Sequence, residues 1–549
     1  MVSTLALSCD TMSEYEYIVV GAGSAGGILA ARLAERPENR VLLIEAGGSD
    51  ETQLCTKPGM ISIVHQVKQI KAKLDWGYTT EPQKHMNDRR VPYTRGKVLG
   101  GCSSVNGMLY LRGNRANYDS WAAAGCDGWS YADVLPFYKK HEAHQDGESE
   151  FHGGSGEHAV TKHPDDQISP VSKAFAAAVA GHFGIAADGD FNGKDQFTAG
   201  YYQMTAKGGL RHSTSERMVR PSMSRPNLKV EMGCLVTRVV LEKGRAVGVE
   251  IVQKGVKRVV RASREIVLSA GAVGSPQILR LSGIGPADHL RSLGIDVALD
   301  LAGVGRNLHD HLFVPLTFRS EQSLHRGTPW HFFGGMLTEY VKGGSWFGRT
   351  VFEAGAFVKT DSSQPIPNMQ LHSLPWGYPD PNQDGPGMPH VDDGRCLSIL
   401  PSLIYPKSRG TVTLRSNDPT AAPLIDPAFL AEKADLDVLV RGFRLVREIM
   451  ARPEIKDLVG AELAPTTKYT TDAELEDQVR LRATTIYHPV GTCKMGVDAA
   501  AVVDPKLRVR GIEGLRVADA SIMPSITGGN TNAPCMMIGE RAADLVLRG

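Results

Sequence analysis

The sequence predicts a chain of mixed α/β and α+β class, with a Rossmann-type domain joined to a second domain of sheet plus helices. The first observation is a short apolar strand at 17–20 that runs into a glycine-rich turn, a helical pattern and a second strand at 41–44. The second is the region 315–465, which mixes alternating strands with helical stretches and Pro/Gly-rich loops. Together they indicate a parallel βαβ opening and a separate layer that covers it.

The glycine-rich turn has the pattern GxGxxG, formed by Gly21, Gly23 and Gly26. Gly21 permits the tight turn, Gly23 lets the backbone approach a pyrophosphate, and Gly26 allows close packing of helix on strand. The helix N-terminus then offers free N–H groups to the phosphates. Glu45, at the end of the second strand, is placed to accept hydrogen bonds from a ribose hydroxyl. This predicts a dinucleotide site, without separating FAD from NAD(P).

The remaining elements are read from hydrophobic periodicity. A meander of strands is predicted at 227–240, 246–253 and 256–262. It feeds a buried strand at 265–272, and a short helix follows at 277–282. In the second domain, 411–415 is typical of a strand and 434–450 of a helix.

Composition excludes several classes of protein. The 549 residues carry 61 Lys and Arg against 60 Asp and Glu, so no excess of positive charge exists to bind nucleic acid. The eight cysteines form no CxxC pair and no zinc-ligand spacing, which favours reduced thiols and no metal. The longest uncharged run, 521–539, is interrupted by Pro and Asn, so no transmembrane span is predicted. We expect a cytoplasmic protein, and peripheral contact with the inner face of the membrane stays open.

Three further segments make the pattern more specific. They are GKVLGGCSSVN at 96–106, GAVGSPQIL at 271–279, and YHPVGT at 487–492, which is followed by GLRVADAS at 514–521 and GNTN at 529–532. With the opening βαβ unit, this set resembles the glucose–methanol–choline (GMC) family of FAD oxidoreductases over nearly the whole chain. Within that family the sequence is most similar to bacterial alcohol and choline dehydrogenases.

The resemblance implies a discontinuous FAD-binding domain (14–160, 221–314 and 466–549) and a substrate-binding cap domain (161–220 and 315–465). It places the 96–106 segment along the flavin, Val236 at the adenine, and Asp519 and Ala520 near the pyrophosphate and ribityl chain. The predicted cofactor-binding residues are Gly21, Gly23, Ser24, Ala25, Gly26, Glu45, Ala46, Val98, Gly100, Gly101, Ser104, Val105, Asn106, Gly107, Val236, Ala270, Gly271, Asp519, Ala520, Asn530, Thr531 and Asn532.

Two residues are predicted to be catalytic. His488, in YHPVGT, matches the family's catalytic histidine and is expected to accept the hydroxyl proton while a hydride passes to flavin N5. Asn532 matches the second active-site position, whose amide can orient the substrate oxygen. Val105 stands where relatives with covalent flavin carry His, so non-covalent FAD is expected. The chain contains a single GxGxxG dinucleotide-binding pattern, so NAD is not expected as a second cofactor.

The predicted reaction is oxidation of a small-molecule primary alcohol to an aldehyde, with electrons passing to a non-oxygen acceptor such as a quinone or a redox protein. The alternatives are an oxygen-using alcohol or choline oxidase, and a non-redox lyase or decarboxylase on the same scaffold. Aliphatic, aromatic and polyether alcohols remain open as substrates.

Several residues have two readings. Cys102 is interpreted as structural rather than nucleophilic, and His309 and His311 as a structural turn rather than a metal pair. Glu353 is interpreted as holding the cap domain, with contact to a cationic substrate as the alternative. The aromatic residues of the cap domain are read mainly as core, with lining of the substrate pocket as the alternative; they are Trp330, Phe332, Phe333, Trp346 and Trp376.

Overall fold

The computed structural model describes residues 15–61, 64, 67–325, 328–378 and 395–549. The first 14 residues, whose order and origin the sequence leaves open, lie outside this part. Two large sheets organise the described chain, one of seven strands and one of eight, each with its own hydrophobic core.

The first sheet is parallel at its centre. Tyr15–Val20 pairs in parallel with Val41–Ile44 on one side and with Val256–Leu268 on the other. Four consecutive apolar residues of Val41–Ile44 are buried, as expected for a strand covered on both faces. The sheet is completed by Leu228–Glu231, Cys234–Glu242, Arg245–Gln253 and Leu515–Val517.

Val256–Leu268 is one strand of 13 residues, although the sequence predicts two strands here. Its first half pairs antiparallel with Arg245–Gln253, and its second half pairs in parallel with Tyr15–Val20. No Gly or Pro interrupts this stretch, so nothing in it forces the chain to turn. A register shift between Tyr15 and Tyr17 accommodates the change of partner.

The first and the last helix of the described chain meet beside this sheet. The helix Gly26–Leu33 packs against the C-terminal helix Asn532–Arg548. A Cβ at Gly539 would lie 2.5 Å from the Ala25 carbonyl oxygen, so only glycine allows this approach. Arg32 Nη2 also binds Glu540 Oε1 at 2.8 Å. The C-terminal helix is therefore held against the GxGxxG turn at 21–26, which is called the fingerprint turn from here on.

The second sheet is antiparallel, and helices Pro170–Phe183 and Lys433–Met450 pack on it. The helix Lys433–Met450 is amphipathic and buries Leu439, Phe443 and Val446 in this core. The strands are Thr198–Tyr201, Leu312–Phe313, Leu316–Arg319, Ala354–Val358, Met369–Leu374, Cys396–Leu403, Glu462–Ala464 and Thr484–Thr485.

Two short strands of the second sheet come from segments predicted for the FAD-binding domain. Leu312–Phe313 pairs antiparallel with Thr484–Thr485, with Leu312 opposite Thr485. The Ile486 N–H also donates to the His311 carbonyl oxygen at 3.2 Å. This pairing brings the 309–311 turn and the YHPVGT segment together where the two sheets meet.

The helix predicted at 277–282 begins six residues earlier, at Gly271, and ends at Leu281. No helix in the described ranges is long and apolar enough to cross a membrane. The other α-helices are Gln53–Thr56, Lys68–Leu74, Arg115–Ala123, Tyr131–His141, Arg220–Ser222, Ala287–Ser292, Pro329–Val341 and Asp472–Arg482. The remaining strands are Glu142–His144, His158–Val160, Ala206–Lys207, Leu210–Arg211, Ile284–Gly285, Leu299–Asp300, Thr411–Thr413 and Leu424–Asp426.

Candidate active site

A cavity of about 950 Å³ runs from the fingerprint turn to the seam between the two sheets. This volume is at the upper end for ligand sites, which span roughly 300–1,000 Å³. Most of the predicted site residues line it: Gly21, Gly23, Ser24, Ala25, Glu45, Ala46, Gly101, Val105, Asn106, Gly107, Val236, Ala270, Gly271, His488, Asp519, Ala520, Asn530, Thr531 and Asn532.

The glycines at the first end form a close-fitting cradle. A Cβ at Gly21 would lie 2.4 Å from the Ser269 carbonyl oxygen, and one at Gly26 would lie 2.0 Å from the Gly21 carbonyl oxygen. Gly101, at φ 53°, would place its Cβ 2.9 Å from the Gly23 Cα. No protein atom lies within 4 Å of a Cβ at Gly23, so this glycine faces open space. The cradle fits the pyrophosphate of a dinucleotide.

Glu45 closes the same end of the cavity. Its Oε2 accepts from the Ala22 N–H at 3.0 Å and its Oε1 from the Gly47 N–H at 2.8 Å. Each oxygen keeps a lone pair for a ribose hydroxyl. Burial raises the pKa of Glu45 to about 7, although the backbone N–H groups oppose this shift.

Asp519 organises the middle of the cavity wall. Its Oδ2 accepts from the Gly271 N–H at 2.9 Å and the Ser275 hydroxyl at 2.5 Å, and its Oδ1 from the Ser521 N–H at 2.8 Å. Burial raises the pKa of Asp519 above its ordinary value. The carboxylate holds the N-terminus of Gly271–Leu281 against the cavity, where its free N–H groups suit an anionic group.

Four residues predicted to bind cofactor do not line the cavity: Gly26, Val98, Gly100 and Ser104. Gly26 lies under the turn, and the buried Val98 side chain belongs to a small hydrophobic cluster. The Gly100 N–H donates to the Ala22 carbonyl oxygen at 2.9 Å, and the Ser104 hydroxyl bonds to Leu99 O and Asp50 Oδ2. These four hold the shape of the wall, because their contacts are with protein.

At the other end of the cavity, His311 and His488 share a hydrogen bond. Their Nδ1 atoms are 3.0 Å apart, and His311 Nε2 lies 3.1 Å from the Ile404 carbonyl oxygen. A carbonyl only accepts, so His311 carries its proton on Nε2. Burial lowers the pKa of His311 to about 3, so its Nδ1 is a free lone pair. The His488 Nδ1–H therefore donates to His311.

This bond determines what His488 offers to the cavity. Burial holds the pKa of His488 well below its usual 6.5, so the ring is neutral with its single proton on Nδ1. Its Nε2 is a lone pair that accepts from the Asn530 Nδ2 amide at 3.2 Å. The sequence interpretation of His311 as part of a structural turn missed this role, which no local pattern signals.

The backbone at His488 is held as firmly as its ring. Asp310 Oδ1 accepts from the His488 N–H at 2.8 Å, and Asp310 Oδ2 accepts from the Thr485 hydroxyl at 2.5 Å. Tyr487 adopts φ 67°, an uncommon conformation for a bulky residue, and Arg95 donates to its carbonyl oxygen. These contacts fix the direction in which the imidazole enters the cavity.

Asn532, the second predicted catalytic residue, is engaged elsewhere. Its Oδ1 accepts from the Ser24 hydroxyl at 2.7 Å, and its Nδ2 faces Met536 Sδ at 3.5 Å. These contacts tie it to the fingerprint turn and the C-terminal helix. The neighbouring Asn530, two positions before the first residue of that helix, lies beside His488.

Glu353 does not line the cavity. It is buried, accepts from the Ser169 N–H at 2.9 Å, and pairs with His325 Nε2 at 3.1 Å. His309 Nδ1 donates to the Asn307 carbonyl oxygen at 2.6 Å, whereas His311 contacts His488 and the Ile404 carbonyl oxygen. Within the described ranges no group of three or more His, Cys, Asp or Glu is arranged to hold a metal.

Of the cap aromatics singled out from the sequence, only Trp376 lines the cavity. Phe332 packs in the cap, 5.3 Å from Phe347 and 6.3 Å from Trp346 by ring centroids. Trp330 and Phe333 are exposed at the surface.

Comparison with known proteins agrees with this architecture. The sequence profile described as GMC oxidoreductase matches residues 15–313 in its N-terminal form and residues 406–539 in its C-terminal form. The chain belongs to the GMC oxidoreductase family. This GMC oxidoreductase is accordingly an FAD-dependent flavoprotein.

Similar proteins cover nearly the whole chain. An alcohol dehydrogenase [acceptor] of Pseudomonas putida is 40% identical over 97% of this chain and 96% of its own length. An oxygen-dependent choline dehydrogenase of Sinorhizobium fredii is 38% identical with the same coverage. Among solved structures, pyridoxine 4-oxidase from Mesorbium loti superposes with a TM-score of 0.87 at 30% identity, covering 98% of this chain and 100% of that one. Formate oxidase superposes with a TM-score of 0.89 at 27% identity, with 98% of both chains covered.

Proposed function

We propose that this GMC oxidoreductase oxidises a neutral primary alcohol with an apolar body to the aldehyde. The observation that supports this is the His488 Nε2 lone pair, which faces the cavity beside the Asn530 amide. An alcohol hydroxyl needs both groups: a base for its proton and a donor for the oxygen that becomes negative.

Bound FAD supplies the hydride acceptor. The protein residues supply the rest. The substrate hydroxyl replaces the Asn530 amide as the donor to the single lone pair of His488 Nε2, and its proton moves onto that atom. Asn530 Nδ2 donates to the substrate oxygen and holds the carbinol in one orientation. The His311 Nδ1 lone pair holds the opposite side of the imidazole throughout, so the base keeps one tautomer and one ring plane.

The substrate end of the cavity favours a neutral alcohol. Phe313, Phe352 and Trp376 line it, and the Phe313 ring lies 5.3 Å from that of Tyr378. Among described residues that line the cavity, the carboxylates are Glu45 at the cofactor end and Asp519 in the middle of the wall, so neither lies beside His488. A quaternary ammonium alcohol would be desolvated there without a counter-ion, at substantial cost.

The FAD is proposed to be non-covalent, since the buried Val105 side chain at the cavity wall has no nucleophilic atom. Gly21, Gly23 and Gly101 would cradle the pyrophosphate and Glu45 the ribose. For the electron acceptor we propose a small molecule or protein other than oxygen, in line with the name of the Pseudomonas putida relative.

The test is anaerobic mixing of the purified flavoprotein with 1-octanol, benzyl alcohol and choline, followed by the loss of oxidised-flavin absorbance. Bleaching by either neutral alcohol, with choline inert, is the expected result. Bleaching by choline alone would overturn the neutral-substrate proposal. If no alcohol bleaches the flavin, the proposal fails. Cleavage of a cyanohydrin to an aldehyde and hydrogen cyanide, which needs no oxidant, would then support the non-redox alternative. Reoxidation is then compared in air and with a soluble quinone, and fast reoxidation by air alone would contradict the proposed acceptor.

A further inference from the structure

The helix Pro329–Val341, called the cap helix from here on, is apolar on two opposite sides. Its inner side buries Phe332, Gly335 and Glu339. Its outer side exposes five large apolar side chains: Trp330 (86%), Phe333 (54%), Leu337 (64%), Tyr340 (46%) and Val341 (70%). At 100° per residue these five fall within an arc of about 100°. They are five of the 12 exposed large apolar residues in the described part of the chain.

A helix that is apolar all round is normally covered all round. Here the inner side packs on the ring of Phe347, 5.3 Å from Phe332 by ring centroids, while the five outer side chains are 46–86% exposed in the described part of the chain. Glu339, the one charged residue within the helix, points inward and accepts from the Ser345 N–H at 2.8 Å. The exposed face therefore carries no charge of its own.

Lysines border this face. Lys57 Nζ lies 5.2 Å from the Tyr340 ring centroid. Lys342 follows the helix and is exposed, and Lys207 is exposed on the turn whose Gly209 packs against Glu339. Glu339 is also the single carboxylate in residues 322–352, and residues 52–74 contain four lysines and no carboxylate.

We propose that the cap helix docks on the surface of an anionic lipid bilayer. Helices that lie in the membrane interface typically carry Trp, Phe and Leu on one face and lysines at the edges of that face. The lysines attract anionic headgroups while the apolar face enters the acyl boundary. A second copy of this chain fits less well, because a two-fold contact through this face would bring the lysine-bearing edges of the two copies together.

Docking would bring the Trp376 wall of the cavity toward the bilayer. Trp376 lines the cavity and its ring lies 5.7 Å from Trp346, which stacks on His331 of the cap helix at 5.2 Å. Lys71, in the lysine-rich segment, also lines the cavity. An apolar alcohol dissolved in the membrane would then lie close to this wall of the cavity. The docking itself goes beyond the proposed function and does not depend on it.

The experiment is sedimentation of the purified full-length flavoprotein with vesicles of phosphatidylcholine and phosphatidylglycerol in equal amounts, and with vesicles of phosphatidylcholine alone. We expect binding to the anionic vesicles that weakens in 0.5 M salt. The variant Trp330→Gln/Phe333→Gln/Leu337→Gln is expected to lose at least about tenfold in vesicle partitioning. The matched control Val256→Gln/Val259→Gln/Val497→Gln removes three exposed valines elsewhere and is expected to bind like the wild type.

A wild-type protein that stays in the supernatant with anionic vesicles would overturn the proposal, as would a cap-helix variant that sediments like the wild type. Loss of a dimer in the variant by sedimentation velocity, without vesicle binding by the wild type, would assign the face to a second copy instead. Flavin content and the unfolding temperature verify that the variants fold. Quenching of tryptophan fluorescence by brominated lipid gives an independent readout, which the single change Trp330→Phe is expected to reduce.

Discussion

The Nδ1 atoms of His311 and His488 lie 3.0 Å apart, although 177 residues separate them in the sequence. One atom must donate and the other accept, and the Ile404 carbonyl oxygen at His311 Nε2 decides which. The proposed catalytic base thus has its tautomer set by a second histidine, which is itself set by a backbone carbonyl. His311 acts through His488, so it is a positioning residue.

Replacing His311 with Leu is expected to lower the limiting rate of flavin reduction by about 10- to 100-fold while FAD remains bound, because His488 would lose the acceptor that holds its Nδ1 proton. His311→Gln keeps an acceptor oxygen and is expected to recover much of the rate. Stopped-flow reduction by the best alcohol measures both variants. Equal rates in His311→Leu and the wild type would remove His311 from the mechanism.

The two asparagines near the C-terminal helix are expected to have separate roles. Asn530→Ala should lower the rate of flavin reduction by about 10- to 100-fold with little effect on flavin content, because it removes the amide beside His488 Nε2. Asn532→Ala should mainly reduce FAD retention, because it frees Ser24 in the fingerprint turn. Rapid-mixing kinetics and flavin-to-protein absorbance ratios distinguish the two effects. A reversed pattern would return the catalytic role to Asn532.

Two glycines of the fingerprint offer a matched pair. Gly26→Ala is expected to destabilise the fold by a few kcal/mol, since its Cβ would lie 2.0 Å from a backbone oxygen. Gly23→Ala leaves protein contacts unchanged, but its methyl group would occupy the space of the pyrophosphate. We therefore expect Gly23→Ala to weaken FAD binding with little effect on the unfolding temperature of the flavin-free protein. Thermal unfolding and FAD titration check the pair, and equal unfolding losses in both would contradict it.

Buried neutral histidines are expected to make the protein sensitive to acid. Burial lowers the pKa of His141 and His309 to about 3, and of His163 and His372 to about 4. The pKa of histidine in the unfolded chain is near 6.5. The stability that depends on these neutral rings is therefore complete above pH 6.5, and it is lost as the pH falls toward their pKa values in the folded protein. Between these two pKa values, each such histidine lowers the free energy of unfolding by up to about 1.4 kcal/mol for each pH unit of acidification.

The measurement is the free energy of unfolding between pH 8 and pH 5, and we expect it to fall steeply below pH 6.5. His163→Gln serves as the control, because glutamine can still donate to the Phe352 carbonyl oxygen that His163 Nε2 contacts at 2.9 Å. Its slope should be smaller than that of the wild type. A stability that stays flat from pH 8 to pH 5 would show that these rings are not buried as neutral groups.

The features that the sequence determined by itself are contiguous. The GxGxxG turn with Glu45, the family membership and His488 as the candidate base all follow from short segments whose residues act on their chain neighbours. The order of the segments also indicated a second layer, and both sheets are present. A glycine turn and a buried apolar strand are determined by the residues within them, so a local sequence pattern is enough to predict them.

Only the tertiary structure decided the roles that depend on partners far apart in the chain. The seam between Leu312–Phe313 and Thr484–Thr485 places His311 on His488, which no spacing in the sequence expresses. Asn530 and Asn532 are two residues apart and chemically identical, yet one faces the imidazole and the other Ser24. Glu353 is turned away from the cavity by Ser169 and His325. Packing between distant segments sets the direction, the tautomer and the burial of a side chain. These three properties decide whether a histidine or an asparagine takes part in the reaction or only holds the fold.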